Sequence, residues 1–222
     1  MHKNIVIAID GPAASGKSTT AKRIAEKLNL LFIDTGAMYR AATLLCLETK
    51  IDFSNEESVL TAVNAKVISQ KNIDGNTLTF VDDRDVSEDI RTREVTKNVS
   101  KVAAYKGVRE ILVEKQQEMG GKGNVILDGR DIGTVVFPNA DLKIFMIATS
   151  EERAKRRLKE FEAKGEHVDL SKLIEEINER DRQDAEREAS PLKKAEDAVE
   201  VDTSKLTIDE QVELIINLTK KI

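Results

Sequence analysis

The sequence predicts an α/β fold in three layers, in which a central parallel sheet of five strands lies between helices. Short apolar runs rich in β-branched residues alternate with stretches of helical periodicity, which is the pattern of right-handed βαβ crossovers. The strand-like runs are residues 4–9, 30–34, 124–128, 142–147 and 197–201. A length of 222 residues fits a single domain, 1–222, with insertions.

Helical periodicity is clearest directly after the first strand. Within residues 18–28, apolar side chains recur at three- and four-residue spacing at Ala21, Ile24, Ala25 and Leu28. The same kind of pattern predicts further helical segments at about 38–47, 92–118, 150–183 and 207–221. Helical sequence therefore separates each predicted strand from the next, except between 124–128 and 142–147.

The composition excludes several classes of protein. A net charge of −5 argues against a protein that coats nucleic acid. The apolar run from Ile5 to Ile9 is too short for a signal-peptide core or a membrane span, and the lone Cys46 excludes a disulfide framework. We therefore expect a cytoplasmic protein that binds neither nucleic acid nor membrane.

Two segments depart from the alternating pattern. In residues 64–91, two strand-like runs flank Asp74-Gly75, a hairpin turn signal, which predicts a small antiparallel sheet inserted into the core. Residues 151–188 are dense in Arg, Lys and Glu, and Gly165 is a natural break between two helices. The second segment is either a solvated helical hairpin or a mobile lid.

A phosphate-binding loop is predicted between the first strand and the first helix. The stretch GPAASGKS at 11–18 has Gly11, Gly16, Lys17 and Ser18 at the spacing of the GxxxxGK[ST] motif. Glycines let backbone N–H groups turn toward phosphates, and Lys17 adds a cation. The Ser18 hydroxyl fits a Mg²⁺ ligand, although helix N-capping is the alternative. The predicted ATP site on this loop is Gly11, Pro12, Ala13, Ala14, Ser15, Gly16, Lys17, Ser18 and Thr19.

Other features favour a kinase over the remaining classes of phosphate-loop protein. The NKxD and DxxG patterns with which GTPases bind guanine and sense the γ-phosphate do not occur in the sequence. Polar residues follow two other strands, where ligands bind in an open α/β sheet. We expect these residues to share one crevice with the loop: Asp34, Thr35, Arg40, Asp128, Arg130 and Asp131.

Four motifs spread over most of the chain resemble those of bacterial cytidylate kinases. They are IDGPAASGKS at 9–18, DTGAMYR at 34–40, DGRDIGTVVFP at 128–138 and ERDRQDAEREASPL at 179–192. The resemblance implies a P-loop kinase core with a monophosphate-binding insert at about 52–95 and a short helical lid at about 151–188. It also implies transfer of the γ-phosphate of ATP to CMP or dCMP, with Mg²⁺ as cofactor.

The resemblance assigns roles to individual residues. Lys17, Arg130 and Arg187 correspond to catalytic positions. Apart from the resemblance, Arg153 and Arg157 share one face of the predicted lid and could close over the phosphates of ATP, which makes Arg157 a predicted ATP contact, although a run of charges is usually a solvated face. Thr35 stands where many family members have serine. The implied CMP site divides into phosphate, base and ribose contacts, and its residues are Thr35, Arg40, Ser100, Arg109, Arg130, Asp131, Arg180, Asp184 and Arg187.

Spacing alone leaves alternatives open. Arg180 and Asp184 stand four residues apart, which also suits an exposed ion pair on a helix, and Arg187 extends the same predicted face. A kinase for another small acceptor such as UMP would need the same arginines, and a nucleotide-sensing module would need only the loop. The sequence has no coiled-coil heptads, and we expect a monomer.

Overall fold

The computed structural model describes residues 4–163 and 165–222. Five strands form one parallel sheet in the spatial order β2-β6-β1-β7-β8, which confirms the predicted sheet. Their bounds are Val6–Asp10 (β1), Leu31–Asp34 (β2), Val125–Gly129 (β6), Leu142–Ile147 (β7) and Val199–Asp202 (β8). Strand β1 lies in the middle, paired with β6 on one side and β7 on the other, so the chain segment after β1 starts at the centre of the sheet edge.

Helices cover both faces of this sheet and make the three predicted layers. They are Lys17–Leu28 (α1), Thr35–Glu48 (α2), Glu56–Asn64 (α3), Arg93–Ala104 (α4), Lys106–Gly120 (α5), Ser150–Glu162 (α6), Leu170–Glu186 (α7) and Ile208–Thr219 (α8). Side chains alternate along β1, so that Ile7 and Ile9 pack with α1 and α8 while Ala8 packs with the layer of α2, α4 and α5. Each fully buried isoleucine contributes about 1.5–3 kcal/mol of transfer free energy.

Two of the predicted helices differ from the sequence prediction for local reasons, and one predicted break between helices is confirmed. Helix α2 begins at Thr35 instead of 38, because the Asp34 carboxylate accepts a hydrogen bond of 2.8 Å from Ala37 N and caps the helix. The predicted helical stretch 92–118 is two helices, since Tyr105 is extended and its hydroxyl donates to Phe53 O. The break near Gly165 is confirmed: α6 ends at Glu162 and α7 begins at Leu170.

The predicted antiparallel insert is present and contains one strand more than expected. Strands Ile68–Ile73 (β3) and Asn76–Val81 (β4) form the hairpin at Asp74-Gly75, and Arg84–Asp85 (β5) pairs with β4. The amide of Gln70 on β3 joins this small sheet to the core. It accepts from Asp34 N at 3.1 Å and donates to Asp34 O at 2.7 Å, at the carboxyl end of β2.

The two helices α6 and α7 pack together through a separate small apolar cluster of Ala154, Phe161, Leu173 and Ile177. Within the described ranges 4–163 and 165–222, no helix combines the length and apolarity needed to cross a bilayer. The carboxyl ends of β1, β2 and β6 meet at one edge of the sheet, and the candidate site lies there.

Candidate active site

The phosphate-binding loop occupies residues 11–16 between β1 and α1. Gly11 has φ +145°, and a Cβ built on it would lie 2.0 Å from Met146 O, so only glycine fits this position. Gly16, with φ +98°, is the N-cap of α1 and supplies no capping side chain. The first N–H groups of α1 therefore point into the loop, as required for an anion such as a nucleotide phosphate.

Lys17 holds its ammonium group inside the loop. Its Nζ donates to Pro12 O at 2.7 Å and to Ser15 Oγ at 3.3 Å, and the residue is only 5% exposed. Burial, followed by the positive charge of Arg130, lowers the pKa of Lys17 well below its usual value. A phosphate group in the loop would reverse this effect, because it brings negative charge to a poorly solvated cation.

Ser18 lies against Asp128, the penultimate residue of β6. The Ser18 hydroxyl donates to Asp128 Oδ2, while Asp128 Oδ1 is buried and has no hydrogen-bond partner among residues 4–163 and 165–222. Burial, and then the charge of Asp34, raise the pKa of Asp128. A hydroxyl and a carboxylate beside a phosphate loop are ligands that Mg²⁺ prefers, so the residues present fit this metal.

Four arginines converge beside the loop: Arg40 from α2, Arg130 after β6, Arg180 from α7 and Arg187 after α7. Buried nitrogens Nε of Arg40, Nε of Arg180 and one terminal nitrogen of Arg187 lack a hydrogen-bond partner within the described part of the chain. Burial, then the charges of Arg130 and Arg40, lower the pKa of Arg180 to about 9. Such a surplus of poorly solvated cations is suited to binding a dianion.

Asp184 is the carboxylate within this arginine group. It is 4% exposed, accepts a hydrogen bond of 2.8 Å from Arg130 Nε, and has its Oδ1 4.0 Å from a terminal nitrogen of Arg187. The alternative of an exposed Arg180–Asp184 ion pair is therefore wrong. The charges of Arg130 and Arg180 lower the pKa of Asp184 against the opposing effect of burial.

Arg187 reaches the site from a different position than its spacing suggested. Helix α7 ends at Glu186, and Arg187 is already extended, so the expected common helical face stops at Asp184. The Arg187 side chain is oriented instead by a hydrogen bond of 2.6 Å from its Nε to Ser190 O. The turn after the helix thus directs Arg187 back toward Asp184.

A second charged pair lies deeper in the crevice. A terminal nitrogen of Arg109 on α5 donates to Asp131 Oδ2, and both side chains are at most 5% exposed. The Arg109 guanidinium also lies 5.1 Å from the centre of the Tyr39 ring and donates to Ala103 O. Arg109 Nε has no partner among the described residues, so the pair retains a free donor.

The two remaining residues predicted to contact CMP are Thr35 and Ser100. Thr35 is buried, and its hydroxyl donates to Asp128 O at 2.7 Å, which joins the start of α2 to the end of β6. Ser100 lies half-buried on α4, whose last turn leads through Tyr105 into the helix of Arg109.

Comparison with known proteins identifies the family. The family model described as cytidylate kinase matches residues 7–221. The chain belongs to the cytidylate kinase family. A cytidylate kinase of Lactobacillus johnsonii is 51% identical over 215 residues, covering 97% of this chain and 94% of the relative. One of Bacillus cereus is 52% identical over 222 residues, covering 100% and 99%. The resemblance found in the sequence motifs is thereby confirmed.

Solved structures support the fold independently of sequence. A shikimate kinase of Bacteroides thetaiotaomicron matches with a TM-score of 0.50 at 14% identity, over 97% of this chain and 98% of the other. An uncharacterized protein of Eubacterium ventriosum matches with a TM-score of 0.52 at 13% identity, over 98% and 99%. These likenesses agree with the α/β architecture described above.

In this member of the cytidylate kinase family, arginines of α6 hold the phosphate loop from outside. Arg153 donates to Ala13 O at 3.2 Å and pairs with Asp181 of α7 at 2.6 Å, and Arg156 donates to Ser15 O at 3.1 Å. Arg157 instead pairs with Glu160 at 2.6 Å. Sequence reasoning assigned no definite role to Arg153 or Arg156, since a dense charge run does not indicate which members face inward.

Proposed function

We propose that the protein is an ATP-dependent kinase that transfers the γ-phosphate of ATP to CMP or dCMP, giving CDP or dCDP. Membership of the cytidylate kinase family supports the reaction. The structural observation that carries the proposal is the group of arginines with unpartnered buried N–H donors beside the phosphate loop. A protein that only sensed ATP would not need a second anion site beside the phosphate loop. The nucleotide-sensing alternative is therefore disfavoured.

In the proposed mechanism, the protein positions two polyanions and stabilises the charge that develops between them. Residues 11–19 bind the phosphates of ATP, and Lys17 follows the transferred phosphoryl group. Arg40, Arg130 and Arg187 bind the phosphate of CMP, with Arg130 and Arg187 also stabilising the transition state. Arg180 and Asp184 contact the ribose. Arg157 approaches ATP when the lid closes.

Mg²⁺ is the expected cofactor, and Ser18 with Asp128 would hold it. A bound Mg²⁺ would supply positive charge that neutralises the negative charge of the ATP phosphates. Asp128 lies near the end of β6, the strand next to the loop strand β1, and its Oδ1, which has no hydrogen-bond partner in the described part of the chain, is consistent with a ligand at that position.

Selectivity for cytosine is proposed to come from Arg109, Asp131 and Ser100. A carboxylate accepts from the exocyclic amine of cytosine, whereas uracil presents a carbonyl oxygen there and is repelled. The free Nε donor of Arg109 suits a ring acceptor of the base. The runner-up, a kinase for UMP or another small acceptor, would not need a buried carboxylate at this place.

We also propose that the chain works as one kinase domain, 1–222, in which residues 52–95 bind the acceptor and residues 151–188 close as a lid. The hydrogen bonds from Gln70 to the end of β2, and from Arg153 to the phosphate loop, support these roles because each joins one of the two segments to the site. A cytoplasmic monomer remains our expectation, which sedimentation velocity and cell fractionation would test.

A coupled ADP-release assay tests the function directly. The purified protein receives ATP and Mg²⁺ with CMP, dCMP, UMP, AMP or GMP at equal concentration, and an Arg130→Ala variant is the control for contaminating kinases. Selective turnover of CMP and dCMP supports the proposal. Equal turnover of UMP favours the runner-up, and ATP binding without turnover of any acceptor favours the sensing module.

A further inference from the structure

A buried carboxylate outside the assigned site links the phosphate loop to the turn after β6. Asp10 is the last residue of β1, directly before Gly11, and it is 5% exposed. Its Oδ1 accepts from Ile132 N and its Oδ2 accepts from Gly133 N, both at 2.8 Å. A Cβ on Gly133 would lie 3.4 Å from Asp10 Oδ2 and 3.0 Å from Lys143 Cδ, so the turn fits closely over this carboxylate.

The two N–H groups that Asp10 accepts are the first ones of a short π-helical turn, Ile132–Val136. The N-cap residue of that turn is Asp131. An aspartate at an N-cap ordinarily accepts hydrogen bonds from the N–H groups at the start of its own helix. Asp131 makes no such bond, and its carboxylate pairs with Arg109 instead.

We infer that Asp10 is a positioning residue for base selectivity. By accepting the N–H groups of Ile132 and Gly133, it satisfies the start of the turn and leaves the Asp131 carboxylate directed at Arg109 and the base pocket. The inference rests on the proposed role of Asp131 in reading cytosine. Asp10 contacts neither substrate in this scheme and acts only through Asp131.

The charge state of Asp10 is compatible with this role. Burial, more than the nearby charge of Asp131, raises the pKa of Asp10 to about 6, while the two backbone hydrogen bonds oppose the rise. At the neutral pH of an assay the carboxylate is ionised, and both oxygens can accept. An amide in its place has one acceptor only, and its NH2 group would face the second N–H.

Asp10→Asn is the decisive variant, because it keeps the shape of the side chain and removes one acceptor. We expect the ratio of kcat/KM for CMP to that for UMP to fall at least about tenfold, since the Asp131 carboxylate turns toward its own backbone. Asp131→Asn is measured in parallel and should lose the same selectivity. In the double variant, the Asp10 change should cause no further loss of selectivity.

Controls separate this role from a general structural one. Asp209→Asn removes an exposed carboxylate that pairs with Arg23, and it should leave the selectivity ratio unchanged. A merely structural Asp10 would lower turnover of CMP and UMP by the same factor, and that result overturns the inference. If the wild type itself does not prefer CMP, or if Asp131→Asn retains the preference, the proposed function of Asp131 fails instead.

Gly133→Ala provides the same test if Asp10→Asn does not fold. Its methyl group would lie 3.0 Å from Lys143 Cδ and in van der Waals contact with the Asp10 carboxylate at 3.4 Å, without removing charge, so a smaller loss of selectivity in the same direction is expected. A crystal structure of either variant gives a direct readout. The Asp131 carboxylate should lie against the N–H groups of its own turn, and an unchanged Arg109–Asp131 pair would overturn the inference.

Discussion

Arg130 Nε lies 2.8 Å from Asp184 Oδ2, which joins the turn after β6 to α7 across 54 residues of sequence. Asp184 also lies within 4.0 Å of Arg187, so one buried carboxylate holds two arginines of the acceptor crevice in place. Its effect is to orient cations that would otherwise repel one another. The orientation of these two arginines before any substrate arrives therefore depends in part on Asp184, together with the hydrogen bond from Arg187 to Ser190 O.

Replacing Asp184 with Asn should destabilise the protein and weaken acceptor binding together. The variant leaves Arg130 buried without its counter-ion, which costs about 3–5 kcal/mol. Thermal unfolding of the variant should show a lower Tm, and added CMP should recover part of the difference. Asp209→Asn, on the surface of α8, is the matched control and should unfold like the wild type. An unchanged Tm for Asp184→Asn would contradict the orienting role.

Arg130 and Asp131 are neighbours with separable effects. Arg130→Ala should lower kcat/KM about 100-fold for every acceptor, because it removes a donor to the shared phosphate group. Asp131→Ala should mainly reduce the preference for CMP over UMP. Steady-state kinetics with both acceptors measures the two effects. Equal losses on both bases in both variants would refute this division.

Removal of the Asp128 carboxylate should change the metal requirement. Asp128→Asn is expected to raise the Mg²⁺ concentration for half-maximal rate at least about tenfold, since a carboxylate ligand is lost. Titration of the rate with Mg²⁺ at saturating ATP provides the measurement. Ser18→Thr keeps the hydroxyl and should behave nearly like the wild type. A requirement for Mg²⁺ that does not move would remove Asp128 from the proposed metal site.

The raised pKa of Asp10 predicts that the free energy of unfolding depends on pH. Its pKa is about 6 in the folded protein against 3.8 for the free group, so between pH 4 and 6 the folded chain binds more protons than the unfolded chain. The contribution of Asp10 to the free energy of unfolding is therefore greatest below about pH 4. It falls by about 3 kcal/mol in total as the pH rises through 6.

Chemical denaturation of the wild type and Asp10→Asn across pH 4 to 8 measures this contribution as a difference. The wild type should lose free energy of unfolding relative to the variant between pH 4 and 6, and the two should then run parallel at higher pH. Parallel curves over the whole range would show that Asp10 titrates normally.

Arg180→Met should raise the stability of the protein and lower its activity. Arg180 lies among other arginines, and burial with their charges lowers its pKa to about 9. An apolar side chain of similar length removes this repulsion, for an expected gain of about 0.5–2 kcal/mol. Differential scanning calorimetry should show a raised Tm, and kcat/KM for CMP should fall about 100-fold. A lowered Tm would mean that Asp184 compensates Arg180 fully.

Sequence reasoning predicted the parts of this protein that local patterns determine. The glycines of the loop, the strands that contain Asp34 and Asp128, and the hairpin at Asp74-Gly75 all follow from short-range periodicity and turn chemistry. The five-stranded sheet and the antiparallel insert were predicted on that basis, and the structure confirms both.

The contacts that were missed connect residues far apart in sequence. Asp10 and Gly133 are separated by 123 residues, and Arg153 and Ala13 by 140, so no spacing rule relates them. Arg187 was expected on a helical face, yet the helix stops one residue earlier. Pairing of Asp184 with Arg130 in place of Arg180 depends on how α7 packs against α4 and α6, which periodicity does not specify.

The tip of the β3–β4 hairpin has a consequence for how this protein can be modified. Gly75 has φ +77°, and a Cβ built on it meets no atom within 4 Å. An exposed turn of this kind accepts added residues at low cost, because the entropy of closing a loop grows only slowly with its length. A fluorescent peptide spliced between Asp74 and Gly75 would therefore extend from the tip of a hairpin that is joined to the end of β2 through Gln70. If the insert binds the acceptor as proposed, the fluorescence should change when CMP is added.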